Sequence, residues 1–471
     1  MNAVTENLVF DPRTIARFDI NGPRYTSYPT ADRFVEGFTA ERCRHWLGER
    51  GAHTPGAAAA GPPPLSLYFH IPFCNTICYY CACNKIITKD HGRSAKYLKY
   101  LARELDLQCS CLAPDDRMVA QLHWGGGTPT FLAHDEMRQL MAATRRHFHL
   151  IDGGEYSIEV DPRKVDRATV ELLGELGFNR MSIGVQDFDE RVQQAVNRIQ
   201  SEAETMAVID AARDNGFKSI SIDLIYGLPR QTVSGFTRTL DRVIAANPER
   251  LSIYNYAHLP SLFKPQRRIV EAEMPTPEAR LQILAMAIAK LTDAGYVYIG
   301  MDHFAKPDDE LAVAQRAGRL HRNFQGYSTH ADCDMLSFGI SAISKVGASY
   351  YQNVKTLDAY YDRLDQGELP IYRGIELDAD DVLRRSIIQS LMCHFELSFR
   401  SIGDAQGIDF RSYFAAELAA LGEMDEAGLL RVGDQGLTVL PPGRMLVRAI
   451  SMVFDKRLRA DRDSKRYSKV I

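Results

Sequence analysis

Apolar residues recur along the chain in two alternating patterns. Short runs suited to strands are followed by longer stretches whose apolar positions are spaced three and four residues apart, as on one face of a helix. The predicted strands cover residues 65–71, 119–125, 156–161, 180–186, 219–226 and 250–257. The predicted helices between them include residues 97–109, 134–148 and 201–217. Because such alternation is typical of parallel βα units, we predict an α/β fold built on a partial (βα)6 TIM-like barrel.

Polar and small residues share one face of these predicted strands, and the other face is almost entirely apolar. The residues on the polar face are Ser66, Tyr68, His70, Gln121, His123, Ser157, Glu159, Ser182, Gly184, Gln186, Ser219, Ser221 and Asp223. Alternate residues of a strand point to opposite sides of the sheet, so helices are expected to cover the apolar face. An ordinary eight-stranded barrel fills its interior with bulky branched side chains. The pattern here predicts a water-filled cavity instead.

The two ends of the chain differ from this central region. Residues 1–64 are predicted to form an irregular N-terminal arm that ends in the linker GAHTPGAAAAGPPP, and residues 65–375 form the barrel domain. Residues 376–471 combine helical runs, a hairpin at 429–440 and a final helix at 442–458, and they resemble a small winged-helix-like α+β domain. A DNA-binding wing normally presents a basic face. This segment is nearly balanced in charge apart from its tail, 456–469, so we expect a structural or lid role.

Charge and composition exclude several classes of function. The net charge is −4, from 56 basic and 60 acidic residues, so neither nucleic acid nor an anionic membrane is an expected partner. The first residues, MNAVTENLVFDPRT, lack the basic and apolar segments of a signal peptide, and no apolar run is long enough to span a membrane. Nine cysteines in a chain without an export signal indicate reduced thiols, and hence metal binding or redox chemistry in the cytoplasm.

Four of the nine cysteines fall within ten residues, CNTICYYCAC (74–83), immediately after the first predicted strand. A disulfide knot is disfavoured without export. A zinc site commonly needs four ligands in two separated pairs, and the other cysteines provide no second C-x2-C pair. An iron–sulfur cluster is the third alternative. The spacing C-x3-C-x2-C supplies three thiolates in one small loop, which leaves a fourth iron open to bind a substrate or cofactor.

The same spacing at the end of a first barrel strand resembles the signature of the radical S-adenosylmethionine (SAM) enzymes. That resemblance implies that Cys74, Cys78 and Cys81 hold one [4Fe-4S] cluster, whose open iron chelates SAM and cleaves it to a 5′-deoxyadenosyl radical. Other predicted strand ends agree with such a site. The glycine-rich turn GGGTPT (125–130) follows the second strand, and polar residues such as Glu159, Gln186 and Asp223 lie near later strand ends, where parallel α/β folds place their sites.

Further motifs extend the resemblance over nearly the whole chain. They are RYTSYPTADRF (24–34), YFHIPFCNTICYYCACNK (68–85), HWGGGTPT (123–130), IEVDPR (158–163), SIGVQDF (182–188), AVNRIQ (195–200), IDLIYGLP (222–229) and GISAISKVG (339–347). Together they are similar to the oxygen-independent coproporphyrinogen III oxidase family of haem biosynthesis. The related haem chaperones, which would use the cluster without decarboxylation, typically lack the fourth cysteine and this N-terminal arm. A haem carrier and a winged-helix regulator with a structural metal are the two alternatives.

The resemblance implies a reaction, its cofactors and the residues that bind them. Two propionates of coproporphyrinogen III would lose CO2 and become vinyl groups, giving protoporphyrinogen IX, with an electron passing to a terminal acceptor. A flavodoxin- or ferredoxin-like donor would reduce the cluster, and the protein would act as a monomer. The family binds two SAM molecules. The residues implied for the cluster-bound SAM are Tyr68, Gly126, Glu159 and Ile343; those for the second SAM are Tyr80, Gly127, Thr128, Gln186, Arg198, Asp223 and Ala257.

Catalysis and substrate binding are the remaining roles for which candidates are named. Tyr68 and Cys83 are the candidate catalytic residues; Cys83 is expected not to bind iron, because a fourth ligand would close the open position that SAM requires. The four carboxylates of the substrate call for cations, and arginine forms strong charge-assisted hydrogen bonds with carboxylates. Arg24, in the N-terminal arm, is our candidate for that role; the alternative is a solvated surface arginine.

Overall fold

The structure, a computed structural model, describes residues 8–50, 62–330, 333–460, 467 and 469. Most of the predicted linker at 51–64 and most of the tail beyond 460 therefore lie outside the described residues. The chain divides into two compact units. The larger unit contains the described residues of Phe34–Thr276 and Asp332–Glu376, and the smaller contains those of Met1–Arg33, Pro277–Ala331 and Leu377–Ile471. Among the helices of the described part of the chain, none has the length and apolar character that crossing a membrane requires.

The strands of both units are numbered together along the chain. They are β1 Leu65–Ile71, β2 Phe73–Cys74, β3 Ile86–Ile87, β4 Met118–Gly126, β5 His149–Val160, β6 Arg180–Gln186, β7 Ser219–Tyr226, β8 Arg250–Asn255, β9 Val297–Gly300, β10 His303–Ala305, β11 His321–Asn323, β12 Gly326–Ser328, β13 Asp334–Phe338, β14 Ile343–Val346, β15 Ser349–Asn353, β16 Ile371–Glu376, β17 Glu396–Ser398, β18 Leu430–Val432 and β19 Gly436–Val439.

The α-helices are numbered in the same way. They are α1 Pro12–Phe18, α2 Ala40–Gly48, α3 Gly92–Cys109, α4 His134–His147, α5 Arg167–Glu175, α6 Glu190–Ala195, α7 Glu202–Asp214, α8 Val233–Ala246, α9 Pro277–Asp293, α10 Glu310–Arg316, α11 Leu357–Asp365, α12 Ala379–His394, α13 Phe399–Gln406, α14 Phe410–Tyr413, α15 Ala415–Ala420, α16 Gly422–Glu426, α17 Val447–Met452 and α18 Lys456–Ala460.

Six successive parallel strands form the centre of the larger unit, as the sequence pattern predicts. Its strands are ordered β16-β15-β14-β13-β1-β4-β5-β6-β7-β8, and the run from β1 to β8 is parallel throughout. A further strand, β13, pairs parallel to β1 on the other side, and β14 to β16 continue antiparallel. Because the carboxyl ends of parallel strands share one edge of the sheet, the segments that follow β1, β4, β5, β6 and β7 are brought together there.

The helices between these strands are amphipathic and carry ordinary capping residues. In α8, for example, the hydroxyl of Thr232 accepts a hydrogen bond from the backbone N–H of Gly235 and caps the first turn. Phe236, Leu240 and Val243 lie on one buried face, and Asn247 ends the helix in the left-handed conformation. Spacing and caps of this kind explain why the pattern of apolar residues locates the helices.

The smaller unit is mainly helical. Its largest apolar core joins Tyr25 and Tyr28 to residues of α12 and the following segments, among them Ile387, Phe414 and Phe454. The sheet β17-β19-β18 and the hairpins β9–β10 and β11–β12 are antiparallel. The helices and three-stranded sheet that follow residue 376 are the elements of the predicted winged-helix-like module.

Several predicted elements differ from the structure in their extent or regularity. The arm is not wholly irregular, since α1 and α2 form within it. The final helix predicted at 442–458 is interrupted, because the carboxylate of Asp455 accepts hydrogen bonds from the backbone N–H groups of Arg457 and Leu458 and so begins a new helix, α18. The strand predicted at 156–161 begins earlier, at His149, where β5 pairs with Met118 before a shift of register.

The compact units also differ from the predicted domains 1–64, 65–375 and 376–471. Residues 277–331, predicted as part of the barrel domain, group with the C-terminal segment. The physical reason is a shared apolar cluster in which Ile299, Leu311 and Leu320 pack with Cys393 of α12.

Candidate active site

The cysteine segment follows β1 and is fixed by hydrogen bonds to other parts of the larger unit. Phe73 and Cys74 form β2, which pairs with β3. The backbone N–H of Tyr79 donates to the carbonyl of Val196 at 2.9 Å, and the side-chain amide of Asn197 donates to the carbonyl of Ile77 at 2.7 Å. These contacts hold the loop above the carboxyl edge of the parallel strands.

A cavity of about 310 Å³ lies at this edge of the sheet, entirely within the larger unit. Twelve of the residues predicted from the sequence line it: Cys74, Cys78, Tyr80, Cys81, Cys83, Gly126, Gly127, Thr128, Glu159, Gln186, Arg198 and Asp223. Ser182 and Gly184, from the polar face of the predicted strands, line it as well. The alternation of polar and apolar residues therefore located the cavity correctly.

The sulfur atoms of the cysteines have different polar neighbours. The hydroxyl of Thr128 donates to Cys74 Sγ at 3.4 Å. Two guanidinium groups, those of Arg163 and Arg198, approach Cys78 Sγ at 3.8 and 3.7 Å. A thiolate is the form that binds metal, and neighbouring cations and hydrogen-bond donors favour it.

The hydrogen bond between Cys81 and Cys83 sets these two thiols apart. It lowers the pKa of Cys81 to about 6, against the effect of burial and with help from the positive charge of Lys85. The same hydrogen bond raises the pKa of Cys83 well above its ordinary value. The ammonium of Lys85 also donates to the carbonyls of Cys81 and Cys83, at 3.0 and 3.3 Å. Cys81 is therefore the thiol that loses its proton first, whereas Cys83 keeps its proton.

The glycine-rich turn after β4 packs directly against the cysteine segment. The backbone N–H of Gly127 donates to Ile71 at 2.8 Å, and that of Thr128 donates to Phe73 at 2.9 Å. A Cβ atom on Gly127 would lie 2.7 Å from the carbonyl of Pro72, so this close approach requires glycine. Gly126 has a φ of 113°, a conformation that other residues rarely adopt.

Glu159, at the end of β5, is held in its ionised form by neighbouring donors. Its carboxylate accepts a hydrogen bond from the backbone N–H of Gly126 at 3.0 Å and lies 3.4 Å from His123 Nε2. Burial acts to raise the pKa of Glu159, but the contacts with His123 and Gly126 outweigh it and hold the pKa below its ordinary value. The ring of Tyr68 stacks on that of His123, with centroids 5.8 Å apart. Glu159 thus presents a fixed negative charge to the cavity.

Asp223 lies deeper in the cavity and is much less acidic. Burial raises its pKa to about 6, although hydrogen bonds from Ser182 and Ser252 partly oppose this. The hydroxyl of Ser182 donates to Asp223 Oδ2 at 2.7 Å. The buried carboxyl is hydrogen-bonded, as the sequence analysis required, and it can accept further hydrogen bonds from hydroxyl groups of a ligand.

Two arginines beside the cavity share one carboxylate, and only one of them was predicted. Asp161 Oδ2 lies 2.5 Å from Arg163 Nη2 and 3.4 Å from Arg198 Nη1. Burial disfavours the charge of Arg198, but Tyr80, Asp161 and Cys78 outweigh it and raise its pKa above the ordinary value. Asp161 and Arg163 were not predicted as site residues, although both belong to the motif IEVDPR. Their position directly after β5 was the available indication.

Three predicted cofactor residues are not among the described residues that line the cavity: Tyr68, Ala257 and Ile343. Tyr68 stacks on His123, whose Nε2 lies 3.4 Å from Glu159. The carbonyl of Ala257 accepts a hydrogen bond from Gln266, which also donates to the carbonyl of Tyr80 at 3.0 Å. Ile343 begins β14.

Arg24 belongs to the smaller unit, where its guanidinium contacts the carboxylate of Asp302. Its own carbonyl accepts a hydrogen bond from Arg322 at 3.4 Å, and Arg448 donates to the carbonyl of Pro23 at 3.0 Å. Burial, together with the charges of Arg24 and Arg322, lowers the pKa of Arg448 to about 9. Three guanidinium groups, one of them paired with Asp302, therefore lie at this short segment.

The chemistry of these side chains fits an iron–sulfur cluster and SAM. Three thiols in C-x3-C-x2-C spacing face one cavity, with hydrogen-bond donors directed at the sulfurs of Cys74 and Cys78, and two carboxyls can accept hydrogen bonds from amino and hydroxyl groups. Within the described residues, no group of three histidine, cysteine or acidic side chains converges on one point as a single metal ion requires. A four-iron cluster takes one thiolate per iron, so its ligands need not converge in that way.

Comparison with known proteins gives the same assignment. Residues 68–243 match the model of the radical SAM superfamily. The oxygen-independent coproporphyrinogen III oxidase of Pseudomonas aeruginosa is 51% identical over 468 residues, which is 99% of this chain and 100% of that protein. The protein of the same name from Salmonella typhimurium is 47% identical over 466 residues, 99% of both chains.

A solved structure supports the assignment at the level of the fold. The coproporphyrinogen III oxidase of Escherichia coli, described as a radical SAM enzyme, matches with a TM-score of 0.90 and 46% identity. The match covers 96% of this chain and 100% of that one. On the superfamily match, the shared fold and identity along the full length, the chain belongs to the oxygen-independent coproporphyrinogen III oxidase family of the radical SAM superfamily.

Proposed function

We propose that the protein catalyses the oxygen-independent oxidative decarboxylation of coproporphyrinogen III in haem biosynthesis. Two propionate side chains lose CO2 and become vinyl groups, and the product is protoporphyrinogen IX. The observation that carries this proposal is 51% identity to a coproporphyrinogen III oxidase along the full length of both chains. The cavity lined by Cys74, Cys78 and Cys81 is where the chemistry would begin.

A [4Fe-4S] cluster and SAM are the cofactors of the radical SAM superfamily, and when bound they supply a radical that abstracts hydrogen from the substrate. We assign the cluster ligands to Cys74, Cys78 and Cys81, one cluster per chain. The C-x3-C-x2-C spacing and the polar donors to the sulfurs of Cys74 and Cys78 support this assignment. Cys83 remains a non-ligand whose protonated thiol faces the same cavity.

Two SAM molecules are proposed, each with its own set of residues. Glu159 would accept hydrogen bonds from the amino group of the cluster-bound SAM, with Gly126 beside it and Tyr68 and Ile343 supporting this side. Asp223 would accept from ribose hydroxyls of the second SAM, and Arg198 would pair with its carboxylate. The remaining residues proposed for the second SAM are Tyr80, Gly127, Thr128, Gln186 and Ala257.

The residues of the chain bind, orient and protect these groups and leave the radical chemistry to the cofactors. Gly184 leaves space for Arg198, since a Cβ atom there would lie 3.1 Å from Arg198 Nη2. Gln186 adopts a φ of 69°, which turns the end of β6 at the cavity wall. Positioning of this kind shortens the path between radical and substrate and excludes side reactions with water.

For the substrate, we propose that Arg24 binds one of the four carboxylates. The positive charges of Arg322 and Arg448 beside Arg24, which the carboxylate of Asp302 offsets in part, support this role, because a further carboxylate would relieve their mutual repulsion. The partners proposed beyond the substrate are a flavodoxin- or ferredoxin-like electron donor and a terminal electron acceptor. The protein is proposed to act as a monomer in the cytoplasm, without nucleic acid or membrane partners.

The decisive experiment is an anaerobic assay of the purified, reconstituted protein with SAM, a reductant and coproporphyrinogen III. We expect a brown protein that releases CO2 and 5′-deoxyadenosine and forms vinyl porphyrinogen. Cys78→Ser serves as the control without a complete ligand set. Cleavage of SAM without any vinyl product would contradict the substrate assignment and leave the radical chemistry intact. Haem binding in place of decarboxylation would favour the chaperone alternative.

A further inference from the structure

Among the described residues, Cys78 is the only one of the three proposed iron ligands with two guanidinium groups at hydrogen-bonding distance from its sulfur. Arg163 Nη2 lies 3.8 Å from Cys78 Sγ, and Arg198 Nη1 lies 3.7 Å from it. Cys74, by contrast, receives a neutral hydroxyl, that of Thr128. The electrostatic surroundings of the cluster would therefore be uneven, with two guanidinium groups at Cys78, the ammonium of Lys85 near Cys81 and a neutral donor at Cys74.

Arg163 is held rigidly in this position by a single residue. Its backbone N–H and its Nε donate to Asp161 Oδ1 at 3.2 and 2.8 Å, and its Nη2 lies 2.5 Å from Asp161 Oδ2. The two side chains are 13% and 11% exposed. A guanidinium bound through two of its nitrogens has little freedom to turn away, and partial burial strengthens the effect of its charge on nearby atoms.

The charges in this corner do not cancel. Asp161 is shared, because Arg198 Nη1 also lies 3.4 Å from its Oδ2. One carboxylate thus faces two guanidinium groups, which leaves one positive charge beside the sulfur of Cys78.

We propose that Arg163 sets the reduction potential of the iron–sulfur cluster by placing a fixed cation against the sulfur of Cys78. The inference rests on the proposed function only in taking Cys78 as an iron ligand. Reduction adds one negative charge to the cluster. Hydrogen bonds to cluster sulfurs and nearby positive charge stabilise that reduced form, so Arg163 makes the potential less negative and reduction by the electron donor easier.

Arg163 is a better test of this effect than Arg198. The guanidinium of Arg198 also donates to the carbonyl of Gly184, and it belongs to the proposed second SAM subsite. Substitution of Arg198 would change cofactor binding together with the potential. Arg163 acts through Cys78 and is therefore a positioning residue.

The experiment is a redox titration of the reconstituted cluster in Arg163→Met, followed by electron paramagnetic resonance without coproporphyrinogen. We expect the variant to keep its iron and sulfide, while the ratio of reduced to oxidised cluster at a fixed potential falls at least tenfold. For a one-electron couple this is a shift of about 59 mV to more negative values. The matched control is Arg167→Met, an arginine four residues further along whose side chain is 60% exposed. A full cluster with the same midpoint as this control would overturn the proposal.

Two further substitutions cover the case in which Arg163→Met retains no cluster. Arg163→Gln then serves as the neutral variant, and its midpoint is expected to shift in the same direction; an unchanged value overturns the proposal. If neither neutral variant holds a cluster, the midpoint potential of Arg163→Lys is the deciding measurement. The ammonium of this variant cannot keep both contacts with Asp161, so a smaller negative shift supports the proposal, whereas an unchanged midpoint or a lost cluster overturns it.

This measurement separates the inference from the proposed function. If the wild-type protein takes up no four-iron cluster, the proposed function fails. If the wild type holds the cluster and its midpoint potential does not change when Arg163 is replaced, only the inference about Arg163 fails.

Discussion

Among the four cysteines of the cluster segment, Cys83 is set apart by its exposure and by its place outside the C-x3-C-x2-C spacing. A fourth cysteine ligand would close the open iron position that SAM requires. We therefore expect Cys83→Ser to keep iron, sulfide and the visible absorption of the cluster, while turnover of coproporphyrinogen falls. Iron and sulfide analysis beside the activity assay measures both effects.

The comparison set for Cys83→Ser is the serine substitution of each proposed ligand. Cys74→Ser, Cys78→Ser and Cys81→Ser are each expected to lose the absorption of the cluster. Cys111→Ser, outside the cavity, is the control and should change neither iron content nor turnover. If Cys83→Ser loses the cluster while one of the three proposed ligands can be replaced without loss, the ligand assignment is wrong.

A second prediction at the scale of single residues concerns the buried carboxyl of Asp223. Burial raises its pKa from the usual value near 4 to about 6, so the folded protein binds this proton more tightly than the unfolded chain. The stability that this proton provides is complete below about pH 4 and is lost as the pH rises to about 6. At pH 8 the penalty is on the order of 2–3 kcal/mol. We expect Asp223→Asn to unfold at a higher temperature than the wild type at pH 8.

Thermal unfolding of the cluster-free protein at pH 5 and pH 8 tests this expectation. The advantage of Asp223→Asn should shrink at pH 5, and SAM binding to the loaded variant should weaken, because an acceptor for hydroxyl groups is lost. Asp210→Asn, exposed on α7, is the control and should show no difference between the two pH values. Equal stability of Asp223→Asn and wild type at pH 8 would show that the carboxyl is not strained by burial.

At the scale of secondary-structure elements, a buried carboxylate joins four parts of the larger unit. Glu104 of α3 accepts hydrogen bonds from the backbone N–H of Gly339 at 2.7 Å, from Tyr360 of α11 at 2.6 Å and from Asn353 of β15 at 2.6 Å. Gln108 adds a fourth donor at 3.0 Å. Glu104→Ala would leave the N–H of Gly339 and the hydroxyl of Tyr360 buried without this acceptor and would take one hydrogen bond each from Asn353 and Gln108, so we expect a loss of about 3–5 kcal/mol in the free energy of unfolding.

Denaturant unfolding measures the effect of Glu104→Ala. The matched control is Glu175→Ala on α5, whose side chain is 70% exposed and for which we expect a change within about 0.5 kcal/mol. A similar small change for Glu104→Ala would mean that water or rearranged side chains satisfy the four donors.

The elements that the sequence predicts well are those determined by neighbouring residues. The run LSLYFHI forms β1 over the predicted residues, and SISIDLIY forms β7, because period-two alternation fixes both the strand and its faces. The parity of Glu159, Gln186 and Asp223 then places all three side chains in one cavity. Local pattern was sufficient for these three residues, whereas the glycine-rich turn, Tyr80 and Arg198 were assigned through the resemblance to a known family.

Contacts between distant parts of the chain were not predictable in this way. The grouping of residues 277–331 with α12 depends on packing between Ile299 and Cys393, which no local pattern reveals. The same is true of the approach of Arg163 to Cys78, which brings together residues 85 positions apart. Short helices such as α1, formed around the cap of Asp11, fall below the length at which periodicity is informative.

For the whole molecule, the proposed substrate role of Arg24 separates two measurable steps. Arg24→Ala is expected to raise the KM for coproporphyrinogen III about tenfold, the loss of one charge-assisted hydrogen bond, while SAM cleavage without substrate persists. Kinetics at varied substrate concentration and a separate assay of 5′-deoxyadenosine measure the two steps.

Arg17→Ala provides the control for Arg24→Ala. Arg17 lies on α1 in the same unit, with a side chain that is 57% exposed and paired with Glu423. We expect its KM to stay at the wild-type value. A KM for Arg24→Ala that matches this control would remove Arg24 from the substrate site and favour a solvated surface arginine.

The hydrogen bonds that shape the cysteine segment bear on whether the enzyme can regain activity after oxygen has destroyed its cluster. They come from the polypeptide itself, as between Tyr79 and Val196 or Gln266 and Tyr80, so parts of the fold outside the cysteine segment help to hold its shape. We would then expect a protein that has lost its cluster to air to accept a new cluster, so that it need not be degraded. We expect repeated cycles of cluster loss and reconstitution to restore the same specific activity without new protein synthesis.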